Sequence, residues 1–172
     1  MDDSETEAYR FGIEMLTLKM AHMVSYILIA AVMRKIPEFL IIFSVLCIFR
    51  RNTGGFHAET RLGCYLFSCI VIGTALLLCD VPVALWQMNA LAPALLLIMN
   101  GCAPVRNQNR RMDDDEAACF RHRLKCETVV FSLVYVVGLA VGNMKFVYLL
   151  FIGIFVNTVL MILGKAQVGE TT

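Results

Sequence analysis

Charge is scarce in this chain of 172 residues: Asp, Glu, Lys and Arg together make up 17%, and the formal net charge is +1. So small an imbalance provides no global field to recruit nucleic acid. A basic stretch ahead of the first apolar segment is also missing. The chain opens on MDDSETEAYR, which is acidic, so no cleavable signal peptide is expected and the first apolar segment is read as retained. Nor do the cysteines come in an even number. There are seven, and Cys47, Cys69 and Cys79 lie within or at the ends of apolar runs, where a small soft side chain packs well; a disulfide framework is not expected. There is no internal repeat and no low-complexity linker. What the chain has in abundance is apolar residues, 59% with a mean hydropathy of +0.70, against roughly 45 to 50% in soluble domains. The few charges cluster between long apolar stretches instead of alternating with them, which points to an integral membrane protein.

Residues 5–19 mix charge with Phe11, Ile13, Met15, Leu16 and Leu18, a spacing that gives a helix one apolar face and predicts an interfacial helix leading into the membrane. Apolar runs follow at about 20–33, 36–49, 62–79, 83–99, 128–142 and 144–163. The expectation is an all-α polytopic helical bundle, with six spans. The first two runs, at 14 residues each, make about 21 Å of helix against a hydrocarbon core of roughly 30 Å. They must borrow flanking residues or thin the bilayer, and the alternative is four spans plus a re-entrant hairpin. Basic residues test the six-span topology. With the N-terminus inside, twelve of the fifteen Lys and Arg fall inside and only Arg34, Lys35 and Lys145 outside. This asymmetry predicts a multi-pass membrane protein with both termini, and the segment after residue 50, on the cytoplasmic side.

Between the fourth and fifth runs, Gly101-Cys102-Ala103-Pro104 stops one helix and Asp113-Asp114-Asp115-Glu116 starts another. Asp113 is placed to cap, Glu116 to reach back, and the acids suit the positive end of the helix dipole. The basic residues of this loop, Arg106, Arg110 and Arg111 among them, have two readings: a site for an acidic segment of a substrate, or a topology signal drawn to anionic lipid. Cys119, His122 and Cys126 share a helix face, but their spacing matches no common zinc pattern and a full site needs four ligands, so neither a metal nor another cofactor is expected. Gly138 and Gly142 form a G-x-x-x-G that fits either packing within the chain or a homodimer. Pro93 with Gln87 and Asn89 reads as a kinked helix facing inward.

The densest chemistry lies in the run RRNTGGFHAETRLGC, Arg50 to Cys64. A cysteine is the strongest nucleophile among side chains at neutral pH, and a histidine can take its proton and return it to a leaving amine. His57 and Cys64 are that pair here. On one straight helix they would stand about 10.5 Å apart along the axis, too far for the roughly 3 to 3.5 Å contact of proton transfer. A catalytic pair therefore requires a break between them, and Gly54-Gly55, with Gly63 beside Cys64, allows one. Glu59 is a candidate to orient His57. Arg50 has three readings: lowering the thiol pKa, binding a substrate carboxylate, or marking the cytoplasmic edge.

The run Arg50 to Cys64, with its Gly-x-His-Ala and a cysteine seven residues after the histidine, resembles the accessory gene regulator B family of bacterial membrane cysteine endopeptidases. The likeness extends to chain length, to several apolar spans, and to Ala103-Pro104 followed by a polar, basic loop. The resemblance implies His57 and Cys64 as catalytic residues, with Arg50 and Gly55 in the same motif. It further implies cleavage of a small amphipathic propeptide and cyclisation of the fragment to a thiolactone or lactone peptide used in quorum sensing. On this reading residues 1–172 form a single membrane-embedded peptidase domain, with an interfacial helix at about 5–19 and a cytoplasmic loop and helix at about 101–127. The propeptide and the lipid bilayer are its partners. The competing reading is a transporter or assembly scaffold in which His57 and Cys64 only pack.

Overall fold

A computed structural model describes residues 3–56, 60–105 and 113–169. They form six helices: α1 (Asp3–Val32), α2 (Ile36–Thr53), α3 (Arg61–Leu78), α4 (Leu85–Cys102), α5 (Asp114–Val141) and α6 (Met144–Gly169). The all-α polytopic bundle expected from the apolar runs is what the chain forms. Five of the helices, all but α2, are long and apolar enough to cross a membrane.

The two short apolar runs resolve differently. Residues 5–19 and the apolar run after them are one continuous helix, and its stretch Tyr9–Val32 gives 24 residues suited to crossing, about 36 Å at 1.5 Å per residue. That length makes up the shortfall of the first run only; α2 is not among the helices long and apolar enough to cross, so five candidate spans stand among the described residues where six were expected. The second run gains its last turn from Arg50, Arg51, Asn52 and Thr53, making an 18-residue helix that carries Glu38 near its start and two arginines near its end.

The position of α2 explains how it carries charge. It packs into both halves of the core. Val45 and Phe49 join Met99, Phe131, Ile154 and Met161 of α4, α5 and α6, while Phe39, Ile42 and Leu46 join Ala30, Leu76, Leu149 and Ile152 of α1, α3 and α6. Helix α6 is the other shared element, with two thirds of its apolar span buried. Within lipid, burying an apolar side chain gains little, since the surroundings are equally apolar, so close packing and hydrogen bonds hold helices together. The α2–α6 contact shows this: a Cβ on Gly153 would stand 2.7 Å from Val45 Cβ, so only glycine lets the helices come this close.

The helix ends are secured by specific groups. Lys35, after α1, donates to the Leu76 carbonyl at 2.7 Å and pairs with Asp80 at 2.5 Å, tying the α1–α2 turn to the end of α3. Tyr148 places its hydroxyl 2.7 and 2.6 Å from the Leu78 and Val81 carbonyls, between which its one proton is shared. At the start of α5 the Asp113 carboxylate accepts from the Asp114 amide at 2.8 Å. Gly138 is used within the chain: a Cβ there would meet Val147 at 2.9 Å, whereas Gly142, at φ 77°, turns the chain from α5 into α6. Pro93 lies inside α4, and Asn89 one turn earlier accepts from the Tyr135 hydroxyl at 3.1 Å.

Candidate functional site

The run Arg50 to Cys64 is not one straight helix. Helix α2 stops at Thr53, and α3 begins at Arg61 under a Thr60 cap whose hydroxyl accepts from the Gly63 amide at 3.0 Å. The glycines make the stop. Gly54 has φ 73° and its amide donates to the Arg50 carbonyl at 3.1 Å; Gly55 follows at φ 157°. Both values disfavour any side chain. The straight-helix separation of about 10.5 Å therefore does not apply to His57 and Cys64. His57 itself lies outside the described residues, with Glu59, Arg106, Arg110 and Arg111.

The segment leading to His57 is held from three sides. The Phe56 amide donates to the Leu160 carbonyl of α6 at 3.1 Å, and Arg50 Nη2 donates to the Phe56 carbonyl at 2.9 Å. The Phe56 ring lies 4.7 Å from that of Phe67 on α3. Underneath, Gly164 of α6 is in such close contact that a Cβ there would stand 2.5 Å from the Gly55 carbonyl carbon. On the far side, Gly54 abuts Val105, whose amide donates to the Thr53 carbonyl at 3.0 Å. The sequence Ala103-Pro104 thus ends α4 so that the chain returns over the end of α2.

Behind the bend lies a buried polar layer. Asn52, 3% exposed, donates through Nδ2 to Glu127 Oε1 at 2.5 Å. Thr53 and Asn157 are fully buried and meet at 3.4 Å. Buried polar groups in a membrane span are costly unless they serve geometry or chemistry; these pin the last turn of α2 to α5 and α6.

Cys64 is half-buried in the first turn of α3, its amide donating to the Thr60 carbonyl at 3.0 Å. It is within electrostatic range of the Arg50 guanidinium and of the Tyr26 hydroxyl. Among the described residues, the hydrogen-bond partner of Arg50 is the Phe56 carbonyl, which uses one of five donors. Arg50, Gly54, Gly55 and Cys64 are therefore gathered at one end of the bundle, as their spacing suggests.

Sequence reasoning missed the contribution of α1. Its residues His22, Ser25 and Tyr26 face α3 over this site. His22 Nδ1 is 3.2 Å from the Tyr26 hydroxyl, and the hydroxyls of Ser25 and Tyr65 are 2.6 Å apart. The rings of His22 and Tyr65 lie 5.1 Å apart. The available signal was a polar stripe at positions i, i+3 and i+4 in an otherwise apolar helix. Between α1, α2, α3 and α6 a cavity of about 110 Å³ opens next to Arg50 and Tyr26.

The C-x2-H-x3-C face of α5 is exposed, with Cys126 Sγ 3.9 Å from His122 Nε2. Cys102, at the end of α4, faces Lys165 Nζ at 3.7 Å. Among the described residues no three metal-ligating side chains cluster.

Fold and site together define a multi-pass helical membrane protein with a thiol and a guanidinium within electrostatic range of each other at one bundle end. The model of the accessory gene regulator B family matches residues 1–163, and the chain belongs to that family. Membership supports a role in processing the accessory gene regulator peptide, with a peptide precursor as substrate. No curated protein and no solved structure matches the chain.

Proposed function

We propose that this protein is a membrane cysteine endopeptidase that cleaves a small amphipathic propeptide and closes the retained fragment into a thiolactone or lactone. The observation that carries this reading is Cys64 in the first turn of α3, the helix that follows a glycine bend braced on α6, within electrostatic range of Arg50.

In the first step the Cys64 thiolate attacks the scissile carbonyl carbon, and the electron pair moves onto oxygen. The tetrahedral adduct collapses, the C–N bond breaks, and His57 gives its proton to the departing amine, leaving a thioester. In the second step a cysteine or serine of the substrate, having lost its proton to His57, attacks the thioester carbonyl. The C–S bond breaks, the ring closes, and the Cys64 thiolate is restored. The internal attack benefits from high effective concentration, and exclusion of water keeps hydrolysis from competing. Arg50, held at the bend by the Phe56 carbonyl, is assigned to stabilising the negative charge that develops on the carbonyl oxygen in both steps. Glu59 is assigned to orienting His57, and the basic loop around Arg106, Arg110 and Arg111 to receiving acidic substrate residues.

Coexpression with the propeptide, followed by mass analysis of the denatured protein, is expected to reveal an acyl adduct on Cys64 that neutral hydroxylamine removes. An adduct elsewhere, or none during active turnover, would sink the thioester route. The proposed topology puts the bend on the cytoplasmic side. A cysteine introduced as Arg51→Cys, at an exposed position, should react with a membrane-impermeant maleimide only after the membrane is opened. Labelling of that position in intact cells reverses the assignment.

A further inference from the structure

We infer that the cavity between α1, α2, α3 and α6 is a specificity pocket for one aliphatic side chain, that of the substrate residue whose carbonyl Cys64 attacks. The inference rests on the reading of Cys64 as the nucleophile.

The register of two helices sets the pocket's direction. Phe67, Ser68 and Val71 line it from α3, three, four and seven residues beyond Cys64, and Phe43, Leu46 and Cys47 line it from α2, seven, four and three residues before Arg50. On a helix such offsets share one face. The cavity therefore runs along both helices with Cys64 and Arg50 at the same end, and it starts about one turn, ~5.4 Å, below the thiol. An acyl carbon held at the Cys64 sulfur has its own side chain as the nearest group to drop into that space. Leu160 closes the wall from α6 and, through its carbonyl, also holds Phe56, so the pocket and the bend share one support.

Size and lining select the side chain. The volume of about 110 Å³ is below the roughly 150 Å³ of an apolar cavity that admits benzene. That space suits an aliphatic side chain of leucine or methionine size better than an indole. The walls are mainly apolar, with Tyr26, Arg50 and Ser68 as their polar members. Arg50 is held to the Phe56 carbonyl at 2.9 Å, which keeps its guanidinium at the Cys64 end of the cavity and leaves the other end for hydrocarbon.

The experiment uses the full chain in lipid nanodiscs and peptide aldehydes of the form acetyl-Ala-Ala-X-aldehyde, with X glycine, leucine, tryptophan or glutamate. The Cys64 sulfur adds to the aldehyde carbon and the thiol proton goes to its oxygen; nothing leaves and no electron is transferred. Protection of Cys64 from maleimide is read by peptide mass mapping. The leucine aldehyde is expected to protect at a concentration at least ~10-fold lower than the glycine aldehyde, the range that small changes of hydrocarbon size command in such pockets. Tryptophan should gain nothing over glycine. Val71→Phe, which fills the space, should bring the leucine aldehyde down to the glycine level, and Ile72→Ala, which widens it because Ile72 also lines it from α3, should let tryptophan overtake leucine. Equal protection by glycine and leucine aldehydes overturns the pocket and leaves the nucleophile standing. Strongest protection by glutamate overturns it in favour of a cationic subsite. If no aldehyde protects Cys64 while the other thiols react normally with maleimide, the nucleophile reading fails and the pocket with it.

Discussion

Replacing Cys64 by alanine is expected to lower propeptide processing by a factor of ~1,000 or more, because a nucleophile and its base act as a unit and loss of either removes most of the catalysis. The substitution is a clean one structurally. Cys64 is half-buried, and the contact that ties it to the cap is made by its backbone amide to Thr60, which alanine keeps. Helix α3 should therefore form as before, and substrate should still bind. Cys64→Ser should also be strongly impaired, since a hydroxyl in place of the thiol is a far weaker nucleophile without a base matched to it. The controls are Cys69→Ala within α3 and Cys79→Ala at its C-cap, which should process within about twofold of the parent if Cys64 alone carries the acyl group. Release of the cyclic peptide, followed by mass spectrometry in coexpressing cells, decides the matter. Equal processing by Cys64→Ala would falsify the endopeptidase assignment and leave a binding or scaffolding role.

The fold was legible in the sequence because apolar runs separated by charge or glycine dictate helices wherever lipid is the solvent. Boundaries drawn at the first charged residue were too short at the C-terminal end of α2 and at the N-terminal end of α1. Helical hydrogen bonding does not stop at a charge; it stopped at Gly54, where the backbone requires φ 73°. Of the site, the residues adjacent in sequence could be found: Arg50, Gly54, Gly55 and Cys64. The α1 stripe and the α6 contacts could not. His22 and Tyr26 reach the site across some forty residues, as the Ser25–Tyr65 pair does, and Leu160 and Gly164 across more than a hundred. A single sequence carries each helix's own periodicity but not which helices pack together, so Glu127, placed at the end of the cytoplasmic loop and helix at about 101–127, gave no sign of being the partner of buried Asn52.

The contact that sequence could not supply carries the second large effect. Gly164→Ala is expected to lower processing by about 100-fold, the loss that a displacement near 1 Å can cause at a reacting centre. Its added methyl carbon would stand 2.5 Å from the Gly55 carbonyl carbon, 2.7 Å from the Phe56 nitrogen and 2.9 Å from Gly55 Cα. All three are backbone atoms, so no rotamer change relieves the overlap, and the bend must lift away from α6. That movement breaks the Phe56–Leu160 hydrogen bond and shifts the residue next to His57. The comparison is Gly153→Ala, whose methyl would meet Val45 side-chain atoms at 2.7 Å. There the strain falls on a helix–helix contact and should cost about 1 to 3 kcal/mol of stability. Gly73→Ala, with nothing within 4 Å, should change neither quantity. Thermal unfolding in detergent measured beside processing separates these cases. Gly153→Ala should melt earlier with activity retained below its transition, whereas Gly164→Ala should lose activity well below its own melting temperature. Wild-type processing by Gly164→Ala would mean that the position of the bend against α6 does not govern the chemistry at Cys64.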